Sequence, residues 1–106
     1  MKTTAFVLLA AVAACSPYRI MPVRSGALYA SRGAGCTVEF QNLNFQEASA
    51  KYDNLGLISL TGTSGDEFTP AMKKDVEQAA CKMGGDHVTL NASAPGIFQF
   101  IVWRSR

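Results

Sequence analysis

The chain has 106 residues, of which 48% are hydrophobic and 17% are charged, and its formal net charge is +2. This length allows one small domain, and the composition excludes collagen-like, polar disordered and strongly cationic nucleic-acid-binding chains. The only long apolar run lies within the first fifteen residues. A protein with several membrane-spanning helices is therefore excluded, because each span needs about 20 apolar residues.

The N-terminus has the features of a targeting segment. Lys2 supplies a positive charge, and residues 5–14 carry no polar side chain. This stretch has the length of a signal-peptide apolar region and is too short to span a bilayer. Residues 1–14 are therefore predicted to be a signal peptide that is removed from the mature protein.

The residues before the first cysteine resemble a bacterial lipobox, in which an aliphatic residue and two small residues precede a cysteine: Val12-Ala13-Ala14-Cys15. In proteins with that motif the cysteine carries acyl chains such as palmitate, and the chain is cut before it. The resemblance therefore implies a lipoprotein anchored to the membrane through lipid on Cys15. The alternative is an ordinary secretory signal cleaved after Ala13, which would leave Cys15 as a free thiol.

The residue after the cysteine bears on the compartment. In enteric bacteria with this arrangement, an Asp at that position favours the inner membrane and other residues favour the outer membrane. Ser16 therefore predicts the cell outer membrane, facing the periplasm, over the inner membrane.

The cysteine count agrees with lipid on Cys15. Three cysteines are an odd number, and a free exposed thiol is a liability in an oxidising compartment. Lipid on Cys15 would leave Cys36 and Cys81 as one pair.

Residues 15–35 are predicted to be a lipid-anchored flexible tether. The stretch contains Pro17 and Pro22, several glycines and serines, and no clear period of 2 or 3.6. The globular domain is then predicted to occupy residues 36–106.

The domain has five predicted segments in chain order. The first strand covers Thr37–Gln41, residues 42–51 form a loop, and the second strand covers Tyr52–Thr61, with a bulge or close backbone approach at Gly56. The helix begins at Pro70 after the N-cap Thr69 and ends near Met83 before Gly84. The last strands cover His87–Ala92 and Ile97–Trp103 and are joined by a Pro95-Gly96 turn.

This ββαββ order predicts an α+β domain, with a small antiparallel sheet of about four strands and one helix packed on one face. The last strand is apolar on both faces: Phe98 and Phe100 share one face, and Ile101 and Trp103 share the other. Such a strand is central in its sheet, or its second face meets a partner.

Three short motifs resemble a known group of proteins: Cys36-Thr-Val-Glu-Phe, Tyr52-Asp-Asn-Leu-Gly-Leu-Ile-Ser and Ala80-Cys81-Lys-Met-Gly-Gly-Asp-His-Val. They are similar to motifs of small Gram-negative envelope lipoproteins that share a core with the Rcs stress-sensor lipoprotein and related heavy-metal-binding-like domains. The resemblance implies a ββαβ-type core and a disulfide between Cys36 and Cys81. The second disulfide of the stress sensor has no counterpart here.

Catalytic, metal and nucleic-acid sites are not expected. His87 with Asp86 and Ser93 lacks a nucleophile-elbow pattern, and strand alternation places Asp86 and His87 on opposite faces. Cys36, Cys81 and His87 lack metal-ligand spacing, and paired thiols do not bind zinc. The aromatic residues of the last strand, followed by Arg104 and Arg106, are compatible with base stacking, but an envelope location argues against nucleic acid. No cofactor is expected.

The sequence therefore predicts a non-enzymatic outer-membrane lipoprotein. Its disulfide-stapled periplasmic domain would bind another envelope protein in a sensor or accessory role. The alternative is a small-ligand or metal-binding envelope protein.

Overall fold

The computed structural model describes residues 18–33, 35–63 and 67–106, and within them the chain forms five strands and two helices. In chain order these are β1 (Arg19–Arg24), β2 (Glu39–Gln41), α1 (Phe45–Lys51), β3 (Tyr52–Thr61), α2 (Pro70–Lys82), β4 (His87–Ala94) and β5 (Ile97–Ser105). The predicted signal peptide and Cys15 lie outside the described residues.

The described strands form one mixed sheet in the order β1-β3-β5-β4-β2. Neighbouring strands are antiparallel except for β2, which runs parallel to β4. The α+β class and the helix on one face are confirmed, but the predicted sheet of four antiparallel strands is wrong in strand count and in direction. A parallel pair needs a long crossover connection, and the chain supplies one because α1, β3 and α2 all lie between β2 and β4.

The additional strand, β1, comes from the stretch predicted to be a tether. It pairs with β3 along its whole length, from Arg19 opposite Thr61 to Arg24 opposite Gly56. Pro22 is tolerated because β1 is an edge strand and needs no second ladder of hydrogen bonds. The sheet therefore begins well before Cys36.

A glycine is required at position 56, where the backbone of β1 lies against β3. Its φ is 144°, and a Cβ at this position would lie 2.1 Å from the carbonyl oxygen of Val23. The pairing of β3 with β5 also shifts register between Asn54 and Gly56. The predicted bulge and close backbone approach at Gly56 are both confirmed.

The short helix α1 replaces the loop predicted for residues 42–51. Asn44 and Glu47 form a capping box, in which the Asn44 side chain accepts from the Glu47 backbone N–H at 2.8 Å. At the other end, the Arg106 guanidinium donates to the carbonyl oxygens of Ser49, at 2.8 Å, and Tyr52, at 3.3 Å. Both ends of this helix are thus satisfied by side chains, and a single strongly apolar face is not needed to define it.

The main core lies between α2 and one face of the sheet. Thr69 accepts a hydrogen bond from the Met72 backbone N–H at 3.2 Å, and Pro70 is the first helical residue, which confirms the predicted start of α2. The helix presents an apolar stripe to buried side chains of β3, β4 and β5. The members of this core include Met72, Val76, Ala80, Leu55, Ile58, Leu60, Val88, Phe98, Phe100 and Val102.

A smaller cluster lies on the other face of the sheet, under α1. Ala48, Ile101 and Trp103 are buried there, and the Trp103 indole N–H donates to the Thr89 hydroxyl at 2.9 Å. The strand β5 is therefore central and buried on both faces, as its two apolar faces predict.

The disulfide between Cys36 and Cys81 is present, with the Cα atoms 6.2 Å apart. Cys81 lies on the flank of α2 that faces away from Met72, yet it is buried. The chain before β2 covers it, because the Arg32 N–H donates to the Cys81 carbonyl at 2.9 Å and the Val38 N–H donates to Glu77 at 3.1 Å. The bond thus fastens the outer flank of α2 to the segment that leads into β2.

Candidate functional site

An apolar pocket of about 320 Å³ lies where the β2 edge of the sheet meets the start of α2. Four of its nine lining residues are phenylalanines: Phe40, Phe68, Phe98 and Phe100. The ring centroids of Phe68 lie 5.0 Å from Phe100 and 5.5 Å from Phe98, within the range of favourable aromatic pairs. A volume of this size takes one or two side chains or a small ligand.

Local sequence features position these rings. Alternation along β5 turns Phe98 and Phe100 to the same face, as predicted, and the helix cap at Thr69 places Phe68 directly before α2. The pocket rim carries a positive charge, because the Lys73 ammonium lies 5.2 Å from the Phe40 ring centroid. The pocket therefore combines an aromatic floor with one exposed cation.

An open strand edge borders the pocket. β2 pairs only with residues 87–89 of β4, and no described strand pairs with the same edge of β4 from Leu90 to Ala94. The pairing of β4 with β5 shifts register between Leu90 and Ala92, and such a bulge bends a strand and redirects its side chains. Leu90 lies at the pocket rim and is 52% exposed.

A polar cluster surrounds His87 on the other face of the sheet. The His87 Nδ1 lies 2.7 Å from the Asp86 carboxylate, the Nε2 lies 3.3 Å from the Glu39 carboxylate, and the imidazole stacks on Tyr52 at 4.2 Å. The prediction that Asp86 and His87 lie on opposite faces is wrong. Asp86 precedes β4 and has no strand conformation, so alternation does not apply to it.

The surroundings of Asp86 hold it in its ionised form. Burial acts to raise its pKa, but hydrogen bonds from His87 and Ser105 outweigh burial and lower the pKa below its usual range. The Ser105 backbone N–H donates to Asp86 at 2.9 Å. Asp86 therefore ties the start of β4 to the end of β5.

The His87 cluster does not have the geometry of a catalytic triad. In a triad the nucleophile and the orienting carboxylate face different nitrogens of the imidazole. Here the Ser105 hydroxyl, with Oγ at 3.4 Å, faces Nδ1, which is the nitrogen that Asp86 already contacts. Ser93 lies at the far end of β4, opposite Phe98, whereas His87 lies opposite Trp103.

The other residues singled out in the sequence are placed as follows. Cys36 and Cys81 are bonded to each other, and Cys15 lies outside the described residues. The described residues contain no group of three or more His, Cys, Asp or Glu side chains that could hold a metal ion. Trp103 is buried on the face of the sheet opposite to Phe98 and Phe100, so the three rings do not form one stacking platform for bases. No helix among the described residues is long and apolar enough to cross a membrane.

Sequence patterns missed the pocket as a unit. Phe98 and Phe100 are recognisable as one face of a strand, but Phe40 and Phe68 join them only through the fold. The open edge is likewise a property of the sheet order. No local signal in β4 shows that β2 ends at Gln41.

Comparison with known proteins adds no assignment: no protein-family model, no curated protein and no solved structure matches this chain.

Proposed function

We propose that this protein is a non-enzymatic lipoprotein of the bacterial outer membrane whose periplasmic domain binds an extended segment of another envelope protein. The binding site is the pocket of Phe40, Phe68, Phe98 and Phe100 together with the open edge of β4. The observation that carries the proposal is that, within the part of the chain that the structure describes, the β4 edge from Leu90 to Ala94 is unpaired and lies beside an apolar pocket. Lipid on Cys15, implied by the lipobox, would place the domain at the membrane.

Strand addition explains how such a site recognises a partner. An extended segment placed beside Leu90–Ala94 would continue the position of β2. Its backbone hydrogen bonds would supply affinity without requiring a particular sequence. Side chains on alternate positions would supply specificity, because one of them would point into the pocket. Burying a Leu or Phe side chain there would contribute about 1.5–3 kcal/mol.

The positive charge at the pocket rim indicates which kind of segment would bind. Lys73 is exposed at the pocket rim, and its ammonium already lies over an aromatic ring. The segment that fits best therefore carries a large apolar side chain for the pocket and a carboxylate near it for Lys73.

Site-specific photocrosslinking in cells tests the site. A photoreactive phenylalanine analogue at Leu90 should give a discrete adduct with an envelope protein. The same analogue at Phe45 is a matched control, because the two residues are 52% and 54% exposed but lie at the pocket and on α1, respectively. No adduct at Leu90, or the same adduct from both positions, would argue against the site.

A binding measurement then identifies the recognised segment. A synthetic peptide covering the crosslinked segment should bind the purified protein, and Leu90→Glu should weaken binding at least tenfold, or about 1.4 kcal/mol. Phe45→Glu should leave the affinity unchanged. Equal losses in both variants would show that binding does not use the pocket.

Peptide mass spectrometry of protein extracted from native membranes tests the anchor separately. We expect lipid mass on Cys15 and a linked Cys36–Cys81 peptide. An unmodified Cys15 thiol would refute the lipoprotein assignment and leave a secreted domain.

The pocket also supports a second candidate, the binding of a small apolar ligand. Its volume lies at the lower end of the range for ligand sites. Native mass spectrometry of the protein from its own membranes would distinguish the two. A stoichiometric small-molecule adduct that Leu90→Glu removes would favour this candidate over a peptide segment.

A further inference from the structure

The chain between Cys15 and the sheet is very short. β1 begins at Arg19, and Tyr18 already packs against the main core and donates its hydroxyl hydrogen to Asp75. Three peptide units from Cys15 to Tyr18 span at most about 11 Å. Lipid on Cys15 would therefore hold the domain close to the bilayer, whatever path the intervening residues take.

The end of the sheet that carries Arg19 is defined by register. Arg19 pairs with Thr61, Thr61 with Ile97, and Ile97 with Ala94, so four strands begin or end in one row. We name these four residues the Ile97 row. Ile97 is 45% exposed, and Arg19 and Ala94 are exposed as well.

We infer that the anchored domain rests on the lipid bilayer through the Ile97 row, with Ile97 at the membrane interface and Arg19 among anionic headgroups. The inference rests on the proposed lipid at Cys15. Geometry supports it because the row is the part of the sheet nearest to the anchor. Its chemistry also fits, because an exposed apolar side chain and a basic one in the same row suit the boundary between acyl chains and headgroups.

The opposite end of the domain provides a control position. Leu28 follows β1 and is 78% exposed, next to the point where the Ala27 N–H donates to the Asn54 carbonyl. Asn54 and Thr61 are seven positions apart along β3, or about 24 Å at 3.4 Å per residue. A probe at Leu28 therefore reports on the end that faces away from the bilayer.

Tryptophan quenching by brominated lipid tests the orientation. The full-length lipidated variants Ile97→Trp and Leu28→Trp are reconstituted separately in vesicles of phosphatidylethanolamine and phosphatidylglycerol that contain bromine-labelled acyl chains. The buried Trp103 is common to both, so the difference between variants reports on the added tryptophan. We expect at least twofold stronger quenching for Ile97→Trp than for Leu28→Trp.

The outcomes separate this inference from the proposed function. Lipid mass on Cys15 with equal quenching at both positions would overturn the orientation and leave the lipoprotein assignment intact. Absence of lipid mass on Cys15 in the full-length protein would overturn both. Stronger quenching at Leu28 than at Ile97 would show that the opposite end faces the bilayer, and it would also overturn the inference.

Discussion

Replacing Cys36 by alanine tests how much of the stability depends on the disulfide. Cys81 is buried whereas Cys36 is only half-buried, so Cys36→Ala removes the cross-link and leaves the buried sulfur in place. The bond joins residues 45 positions apart. In the chain-entropy treatment, a loop of that length lowers the stability by about 4 kcal/mol when it is opened.

A loss of about 4 kcal/mol is large compared with the total unfolding free energy of a small domain. Single domains have unfolding free energies of about 5–15 kcal/mol, and a small one lies towards the lower end because it buries less surface. The variant should therefore be folded only marginally, or unfolded at elevated temperature.

Urea unfolding measures the effect. The mature chain, with Cys15→Ser to keep it free of lipid, is followed by the fluorescence of Trp103, which is the only tryptophan and is fully buried. With a slope of about 1–2 kcal/mol per molar urea, the midpoint should fall by about 2–4 M. Wild type treated with a reductant should behave like Cys36→Ala, and the reductant should not change the variant further.

A loss below about 1 kcal/mol would refute the loop-entropy reasoning. It would mean that the contacts of the covering segment, such as Arg32 with Cys81 and Val38 with Glu77, hold it without the covalent bond. A changed urea slope would instead show that the cross-link alters the compactness of the unfolded chain.

Three further predictions concern single contacts. Thr89→Val should lower the unfolding free energy by about 1–3 kcal/mol because the buried Trp103 N–H loses its acceptor, whereas Thr89→Ser should retain most of the stability in the same urea assay. Asn44→Ala should lower the unfolding free energy by about 1 kcal/mol because it removes the N-cap of α1, and an unchanged urea midpoint would contradict the capping role. Burial, together with the hydrogen bond to Asp75, raises the pKa of Tyr18 to about 12. Its stabilising contribution is therefore complete below the unfolded pKa of about 10 and is lost as the pH rises towards 12. The unfolding free energy measured with urea between pH 8 and 11 should decline more steeply with pH for wild type than for Tyr18→Phe. Parallel declines in the two proteins would contradict this prediction.

Elements with strong local signals could be predicted from the sequence. The predicted bounds of β3, Tyr52–Thr61, agree with the structure, and Thr69 with Pro70 predicts the start of α2. These signals are local because the cap and the alternating faces act within a few residues. They are independent of what the element packs against. Alternation does not predict the faces of β3, because the register shift between Asn54 and Gly56 leaves Leu55 and Leu57 in different clusters.

The two missed elements depend on weaker or distant information. α1 contains one large apolar residue, Phe45, so it has no helical stripe, although Asn44 followed by Glu47 is a capping-box pattern that indicates a helix start. β1 is stabilised by pairing with β3, which lies about thirty residues later in the chain. Nothing local to Arg19–Arg24 specifies that partner.

The site could be predicted only in part for the same reason. Phe98 and Phe100 share a face by alternation, but the pocket exists because β2 brings Phe40 to the same edge. The contact of Asp86 with His87 depends on the backbone turn before β4, and alternation cannot describe a residue outside the strand. Rules that use only residues adjacent in the sequence did not predict the contacts made between different elements.

The open edge and the Ile97 row together constrain the proposed partner. β4 runs from the pocket towards Ala94, which belongs to the Ile97 row. Leu90 and Ala94 are four positions apart, or about 14 Å along the strand, so with that row on the bilayer the whole open edge would lie within about 20 Å of the membrane surface. A partner that binds as proposed would then present an extended, partly acidic segment at that depth, which suits a membrane-embedded or membrane-anchored protein. Crosslinks from Leu90 should therefore reach membrane proteins, and a soluble periplasmic protein as the sole adduct would contradict the combined arrangement.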